Sequence, residues 1–230
     1  MFEHFYVTDL GKFGYLFIYL PFFLIIILFA YRWVLRHLLG QRIAAGVSVV
    51  LLGFVLGAPV WDIYKIGQVT KRLCEEKAGL HVYKTIESDG LFGSRDIEIW
   101  AQRGFSFTES FNQRDGKKYR YYLREGQVMT ENIQEFSVSH GLLDYGIHKV
   151  ADEHHGFFTI RVGDIDTNEV YAELVTVKTY PGWLDNFFIG VTGTGSGFSV
   201  WQCGDDPPYG RKMKLMASDV ILAAIKPNKR

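Results

Sequence analysis

The chain has 230 residues with 25 basic and 25 acidic side chains, so its formal net charge is zero; a nucleic-acid partner, which calls for a basic face, is disfavoured. Only four basic and two acidic residues precede Asp62, leaving 21 and 23 beyond it, so a neutral average conceals an apolar first quarter and an ordinary polar remainder. The about 170 residues that follow suffice for one domain with its own core and hardly for two.

Two charge-free apolar stretches open the chain, Phe13 to Tyr31 and Ile43 to Trp61. Each is about nineteen residues, or roughly 28 Å of helix, which matches the hydrocarbon core of a bilayer. The basic residues between them, Arg32, Arg36 and Arg42, sit in a short connector of the kind retained on the cytoplasmic side. The pattern predicts a transmembrane hairpin with the N-terminus and residues 62 to 230 outside, and Tyr15, Tyr31, Trp33 and Trp61 fit interfacial aromatic positions. Glu3, Asp9 and Lys12 do not form the basic cluster of a signal peptide, and Phe29-Ala30-Tyr31-Arg32-Trp33 offers no small-residue cleavage site, so the first helix is expected to stay uncleaved.

Neither stretch carries an acidic, basic or histidine side chain, which disfavours ion or proton transport by this chain alone. Gly46, Gly53 and Gly57 instead give the second stretch a small face with a GxxxG spacing. Such a face packs inside the hairpin, against a second copy, or against a partner's membrane helix. Pro21 reads as a tolerated kink.

Beyond Trp61, Asp62 reads as the cap of a separate juxtamembrane helix bearing Ile63, Ile66, Val69 and Leu73, with Cys74 on the same face and Gly79 as its end. A strand from Leu80 to Glu87 and a turn at Ser88-Asp89-Gly90 follow. Phe105, Phe107 and Phe111 alternate with polar residues, and Asp115-Gly116 turns the chain into Tyr119, Tyr121 and Leu123, which predicts a hairpin. Tyr145 to Ala151 and Phe157 to Val162 flank a His154-His155-Gly156 turn, and Val170 to Val177 follows the turn Asp164 to Asn168. The expected fold is therefore α+β: a transmembrane helical hairpin (1–61), then one mainly antiparallel β domain with a juxtamembrane helix (62–230). After the break at Tyr180-Pro181-Gly182-Trp183, a short strand is expected around Phe198 to Cys203. Residues 212–226 could be helix or strand, with Ser218-Asp219 as a cap favouring helix.

Cys74 and Cys203 both fall on the outside, where disulfides persist, so the pair is a candidate bridge; two separate buried thiols are the alternative. Local chemical signatures are weak. Asp164 to Asn168 begins like a calcium loop, but Glu169 stands where glycine belongs and Val175 where glutamate belongs, so a polar hairpin turn explains it better. Asp152-Glu153-His154-His155 gathers possible metal ligands without a second matching pair, and reads as surface turn residues. The run Gly190 to Gly197 lacks the Gly-Lys-Ser/Thr ending of a phosphate loop and reads as a flexible loop. No GxSxG or HExxH motif occurs, so no catalytic residue, cofactor or metal is assigned.

The stretch Cys74-Glu-Glu-Lys-Ala-Gly-Leu-His-Val-Tyr-Lys-Thr-Ile-Glu87, like Asp164 to Glu173, resembles segments of small uncharacterised proteobacterial inner-membrane proteins with an N-terminal two-helix hairpin. That resemblance implies a Gram-negative inner membrane and no function; with the outside placement read from the basic connector, residues 62–230 are expected in the periplasm. The expectation for function is a non-catalytic, membrane-anchored accessory or interaction subunit of an envelope assembly, whose partners are the lipid bilayer and another membrane or periplasmic protein or a second copy. Tyr119, Tyr121, Tyr122, Trp100, Trp183 and Trp201 are its candidate contact residues, with core filling as the alternative. The competing expectation is a periplasmic enzyme or ligand-binding domain acting on cell-wall sugar or peptide, which requires some of His140, His148, His154 and His155 to converge with carboxylates in a pocket.

Overall fold

A computed structural model describes residues 9–35, 37, 40–192, 201–204 and 215–228. The chain forms an α+β fold in which two long apolar helices precede a nine-stranded mixed sheet. Its residues group into two units. The first comprises Met1–Glu76, Val150–Gly156 and Val177–Gln202; the second comprises Lys77–Lys149, Phe157–Thr176 and Cys203–Arg230.

In the first unit, helix α1 is built from Asp9–Gly14, a π-helical turn Tyr15–Tyr19, the α-helical Leu20–Ala30 and a second π-helical turn Tyr31–Leu35. The first π turn explains how Pro21 is tolerated. Proline has no N–H for the carbonyl four residues back and crowds it, and the wider turn, in which the Leu20 N–H bonds the Tyr15 carbonyl, shifts the ladder just ahead of the ring. Helix α2 runs unbroken from Gln41 to Lys77, 37 residues with Pro59 inside it, or about 55 Å. The separate juxtamembrane helix read from Asp62 is therefore corrected: it is the continuation of α2, and Asp62 instead accepts a hydrogen bond from the Trp183 N–H at 3.1 Å.

Continuity past Pro59 requires a donor for the carbonyl that the proline leaves unpaired, that of Val55. The Tyr19 hydroxyl of α1 donates to it at 3.3 Å, and the Tyr15 hydroxyl donates to the neighbouring Leu56 carbonyl at 3.4 Å. The buried residues of α2 are Ala44, Val55, Pro59, Ile66, Thr70 and Leu73. Most of the remaining apolar surface of both helices is open: only 6% of the most apolar window of Gly11–Trp33 and 17% of that of Gln41–Lys77 is buried. Both helices are long and apolar enough to cross a bilayer.

In the second unit the strands are β1 (Gly79–Val82), β2 (Ile86–Ser88), β3 (Gly90–Phe92), β4 (Phe107–Asn112), β5 (Lys117–Arg124) and β6 (Gln127–Ile133). Strands β7 (His140–Asp152), β8 (His155–Asp164), β9 (Val170–Thr179) and β10 (Trp201–Cys203) run through or across the boundary between the units. The sheet order is β1-β9-β8-β7-β3-β4-β5-β6, with β10 also on β9. The predicted hairpin at Asp115-Gly116 is present as antiparallel β4 and β5. The expectation of one strand from Leu80 to Glu87 is corrected: β1 and β2 pair with different partners, and β2 forms a parallel pair with β11 (Ile225–Pro227). The sheet is likewise mixed, because β3 lies parallel to both β4 and β7.

Two short helices complete this unit, α3 (Ile97–Ala101) and α5 (Ala217–Ala224); α4 (Trp183–Thr192) belongs to the first unit. Leu91, Trp100 and Phe105 pack with Ile160, Val162, Tyr171 and Leu174 of the sheet, and Val220, Ile221 and Ala224 of α5 close the same core. Residues 215–228 thus supply both helix and strand. Asp219 helps start α5 by accepting the Met216 N–H at 2.9 Å.

If the Tyr19 hydroxyl is what sustains α2 through its proline, Tyr19→Phe will lower unfolding stability in detergent by about 1 kcal/mol. In a Pro59→Ala background, where residue 59 regains an N–H for Val55, the same replacement should cost far less. Equal losses in both backgrounds, measured by thermal or denaturant unfolding, would refute the pairing.

Candidate functional site

Helix α2 presents two distinct faces. Its buried face carries Val55 and Pro59, whereas Gly46, Gly53 and Gly57 are exposed, and a Cβ added at any of them would meet nothing within 4 Å. The hairpin therefore packs without its glycine face, which leaves that face open along the apolar part of the helix. Arg32 and Arg42 are exposed near the ends of α1 and α2, and Arg36 lies outside the described residues.

Further along α2, Thr70 enters a polar row that runs from the interior to an exposed carboxylate. Its Oγ1 donates to the Ile66 carbonyl at 2.8 Å, lies 3.0 Å from Thr179 Oγ1, and lies 2.9 Å from His155 Nε2. His155 Nδ1 is 2.7 Å from Asp152 Oδ1 and 2.9 Å from Oδ2. Burial alone would raise the Asp152 carboxyl, but the His154 N–H and the His155 ring hold it below the ordinary carboxylate range. The row Asp152–His155–Thr70 has the connectivity of a hydrolase relay. Its hydroxyl is out of reach of a substrate, because Thr70 is 0% and His155 2% exposed. His155, read from sequence as a turn residue, is the first residue of β8 and points inward; only Glu153 and His154 make the turn. The row fastens α2 to the ends of β8 and β9.

His140 sits elsewhere, with Nδ1 3.2 Å from the Tyr171 hydroxyl and 3.3 Å from Asp164 Oδ2. The side chain of His148 is outside the described residues, as are residues 193–200, which include most of the glycine run. Asp164 organises its own turn: Oδ2 accepts from the Ser139 hydroxyl at 2.6 Å, and Oδ1 accepts the N–H groups of Asp166 and Thr167, both at 2.9 Å. The Ser139 bond first, then the backbone donors, bring the Asp164 carboxyl down from 3.8 to about 2, against the opposing effect of burial. Among the described residues, no group of three or more His, Cys, Asp or Glu side chains is placed to hold a metal ion.

Cys74 and Cys203 are joined in a disulfide. The bond closes a loop of well over a hundred residues, which in the chain-entropy account is worth on the order of 4 kcal/mol, and it is a pairing at home in an oxidising compartment. Gly204 follows at φ +97°, where an added Cβ would strike the Val175 carbonyl oxygen at 2.2 Å, so glycine is required for the chain to leave β10 there.

Of the aromatic contact candidates, Trp100 is in the core, Tyr119, Tyr121, Tyr122 and Trp201 are half-buried, and Trp183 is exposed. Two hollows are notable. One of about 470 Å³ is lined by Arg95, Phe111, Asn112, Gln113 and Arg114, and neither arginine forms an ion pair among the described residues. Neither was singled out by sequence reasoning, since isolated arginines in turns carry no local signal. The other, of about 110 Å³, lies among Tyr15, Pro59, Asp62, Leu184 and Asp185.

No protein-family model, curated protein or solved structure matches the chain.

Thr70→Val keeps the shape of the buried row while leaving the His155 and Thr179 side chains short of a partner. It should cost about 2 kcal/mol in unfolding experiments, with Thr70→Ser close to wild type; equal losses for Val and Ser would show that the hydroxyl is immaterial. For Asp164, a carboxyl with a lower pKa in the folded than in the unfolded state stabilises the fold above 3.8, and that contribution disappears as the pH falls from 3.8 to about 2. Asp164→Asn is therefore expected to be less stable at neutral pH and to show a flatter loss of stability through that acid window. Parallel stability curves for mutant and wild type would refute this role.

Proposed function

We propose that this chain is a non-catalytic, membrane-anchored accessory subunit of a bacterial envelope assembly. Its helical hairpin lies in the inner membrane, and its disulfide-braced α+β portion is in the periplasm. The observation that carries this reading is the open glycine face of α2: the hairpin already packs through Val55 and Pro59, yet Gly46, Gly53 and Gly57 remain unoccupied along an apolar helix. Without Cβ atoms, such a face lets another helix approach closely, and close approach is what drives association where lipid and side chain are equally apolar. The basic connector residues and the disulfide support the orientation, since the first favours the cytoplasm and the second an oxidising space. The burial of Thr70 and His155 weighs against reading their row with Asp152 as a reaction centre.

A second reading, a periplasmic ligand-binding domain for cell-wall peptide, is favoured by the Arg95 and Arg114 hollow. Two guanidiniums beside an exposed Phe111 suit a carboxylate carried on an apolar body.

The test is the association state of glycine-face variants. Gly53→Leu and Gly57→Leu each add a side chain where nothing lies within 4 Å, so the hairpin should fold as before. After cross-linking in membranes or purification in mild detergents, they should lose a dimer or partner complex that wild type retains, by about tenfold or more in yield. Recovery of wild type only as an isolated monomer across several detergents would overturn the accessory-subunit reading.

A further inference from the structure

Helix α4 was not legible in the sequence, where Tyr180-Pro181-Gly182-Trp183 reads only as a break. It has two apolar sides. Leu184, Phe188 and Ile189 are buried, and Phe188 fits so closely over Gly14 of α1 that an added Cβ would lie 2.4 Å from its ring. On the opposite side Trp183 is 46% and Phe187 59% exposed, one helical turn apart. Packing against α1 therefore consumes one side of α4 and leaves a tryptophan and a phenylalanine uncovered.

The uncovered side is continuous with the apolar span. The Trp183 ring meets Tyr19 of α1 edge-on, with centroids 6.2 Å apart, while its backbone N–H is held by Asp62, the first charged residue after the apolar part of α2. Tyr19 in turn bonds the Val55 carbonyl, seven residues before Asp62. Trp183 thus bridges from the polar end of the span to a level roughly 10 Å inside it. That interval matches the depth at which the apolar face of an interfacial helix settles, about 5–10 Å below the headgroups. At the same end of α2, Trp61 and Tyr64 are exposed and stacked at 5.8 Å, with Lys65 Nζ 5.4 Å from the Trp61 ring centre, a set suited to the boundary between water and lipid.

We infer that α4 is an interfacial helix, lying in the polar–apolar boundary of the same bilayer leaflet as Trp61, with Trp183 and Phe187 among the upper acyl chains. The occupant of its open side is lipid. The inference rests on the membrane-hairpin reading, and its test separates the two.

The full chain, with its native disulfide intact, is placed in phosphatidylcholine nanodiscs and spin-labelled at one introduced cysteine: Phe187→Cys, Phe54→Cys as the mid-span reference, or Thr130→Cys as the aqueous reference on β6. Relative accessibility to oxygen and to a water-soluble nickel chelate is then measured. The label at 187 is expected to favour oxygen several-fold more than the label at 130, and less than the label at 54. A label at 187 that matches 130 while 54 remains lipid-exposed overturns the interfacial helix and leaves the hairpin standing. Shielding of 187 from both reagents overturns it in favour of a protein partner. A label at 54 that behaves like 130 overturns the hairpin and the inference together. Should Phe187→Cys fail to fold, brominated lipid provides the second measurement: Trp183→Phe must remove a quenchable part of the fluorescence, and unchanged quenching overturns the inference.

Discussion

An apolar helix that continues past a proline needs a donor for the carbonyl the proline cannot serve, and in lipid no water can provide one. The hydroxyl of Tyr19 supplies that donor at Val55, on the buried side of α2, and the hydroxyl of Tyr15 bonds the adjacent Leu56 carbonyl. With those bonds in place α2 remains one rod. The same helix that carries the apolar span then delivers Ile66, Thr70, Leu73 and Cys74 in rigid phase, about two to four turns beyond the proline. The positions of Thr70 and its neighbours, which fasten α2 to the ends of β8 and β9, follow from that continuity.

The fastening uses chemistry of two kinds. The Thr70–His155–Asp152 row, with Thr179 beside it, is buried except at its Asp152 end and is directional: each group must stand within hydrogen-bond reach of the next, so the row tolerates only one rotation of α2 about its axis. The disulfide acts on the unfolded chain, which it restricts over a long loop. Polar satisfaction specifies the arrangement, and the covalent bond stabilises it. This division also accounts for a relay-like row whose hydroxyl and imidazole have no access to solvent, since the packing that makes it specific shuts out any substrate from Thr70 and His155.

Features whose signal is local were legible in the sequence. The two apolar stretches follow from composition, the β4–β5 hairpin from alternation around Asp115-Gly116, and the Asp164 turn from a carboxylate followed by residues whose N–H groups it collects. What escaped depends on distant residues. Pro59 followed by Asp62 is the local signature of a break and a new cap, and it was overruled by hydroxyls some forty positions away. His155 beside Gly156 reads as turn until Thr70 takes it inward. Strands β2 and β3 are three residues each, too short for periodicity to separate, and their parallel partners lie in later segments. Helix α4 is amphipathic with an apolar residue on its open side as well, so its pattern matches neither a core helix nor a loop.

The apolar surfaces of the first unit can be divided by the kind of contact each can make. Bulky side chains such as Phe54 and Val50 on α2 present convex, flexible surface that acyl chains cover well. The glycines at 46, 53 and 57 present backbone instead, and a lipid chain gains little from a groove shaped for another helix. On the proposed membrane placement, Trp183 and Phe187, beside Tyr19 and the polar end of α2, fall at a level where an aromatic ring is favoured over an aliphatic one. A chain that needed only an anchor would be served by the first kind of surface alone. On the proposed membrane placement, the presence of all three on one hairpin and its attendant helix would let the anchor set depth and rotation as well, which matter where the glycine face has to meet a second helix in register.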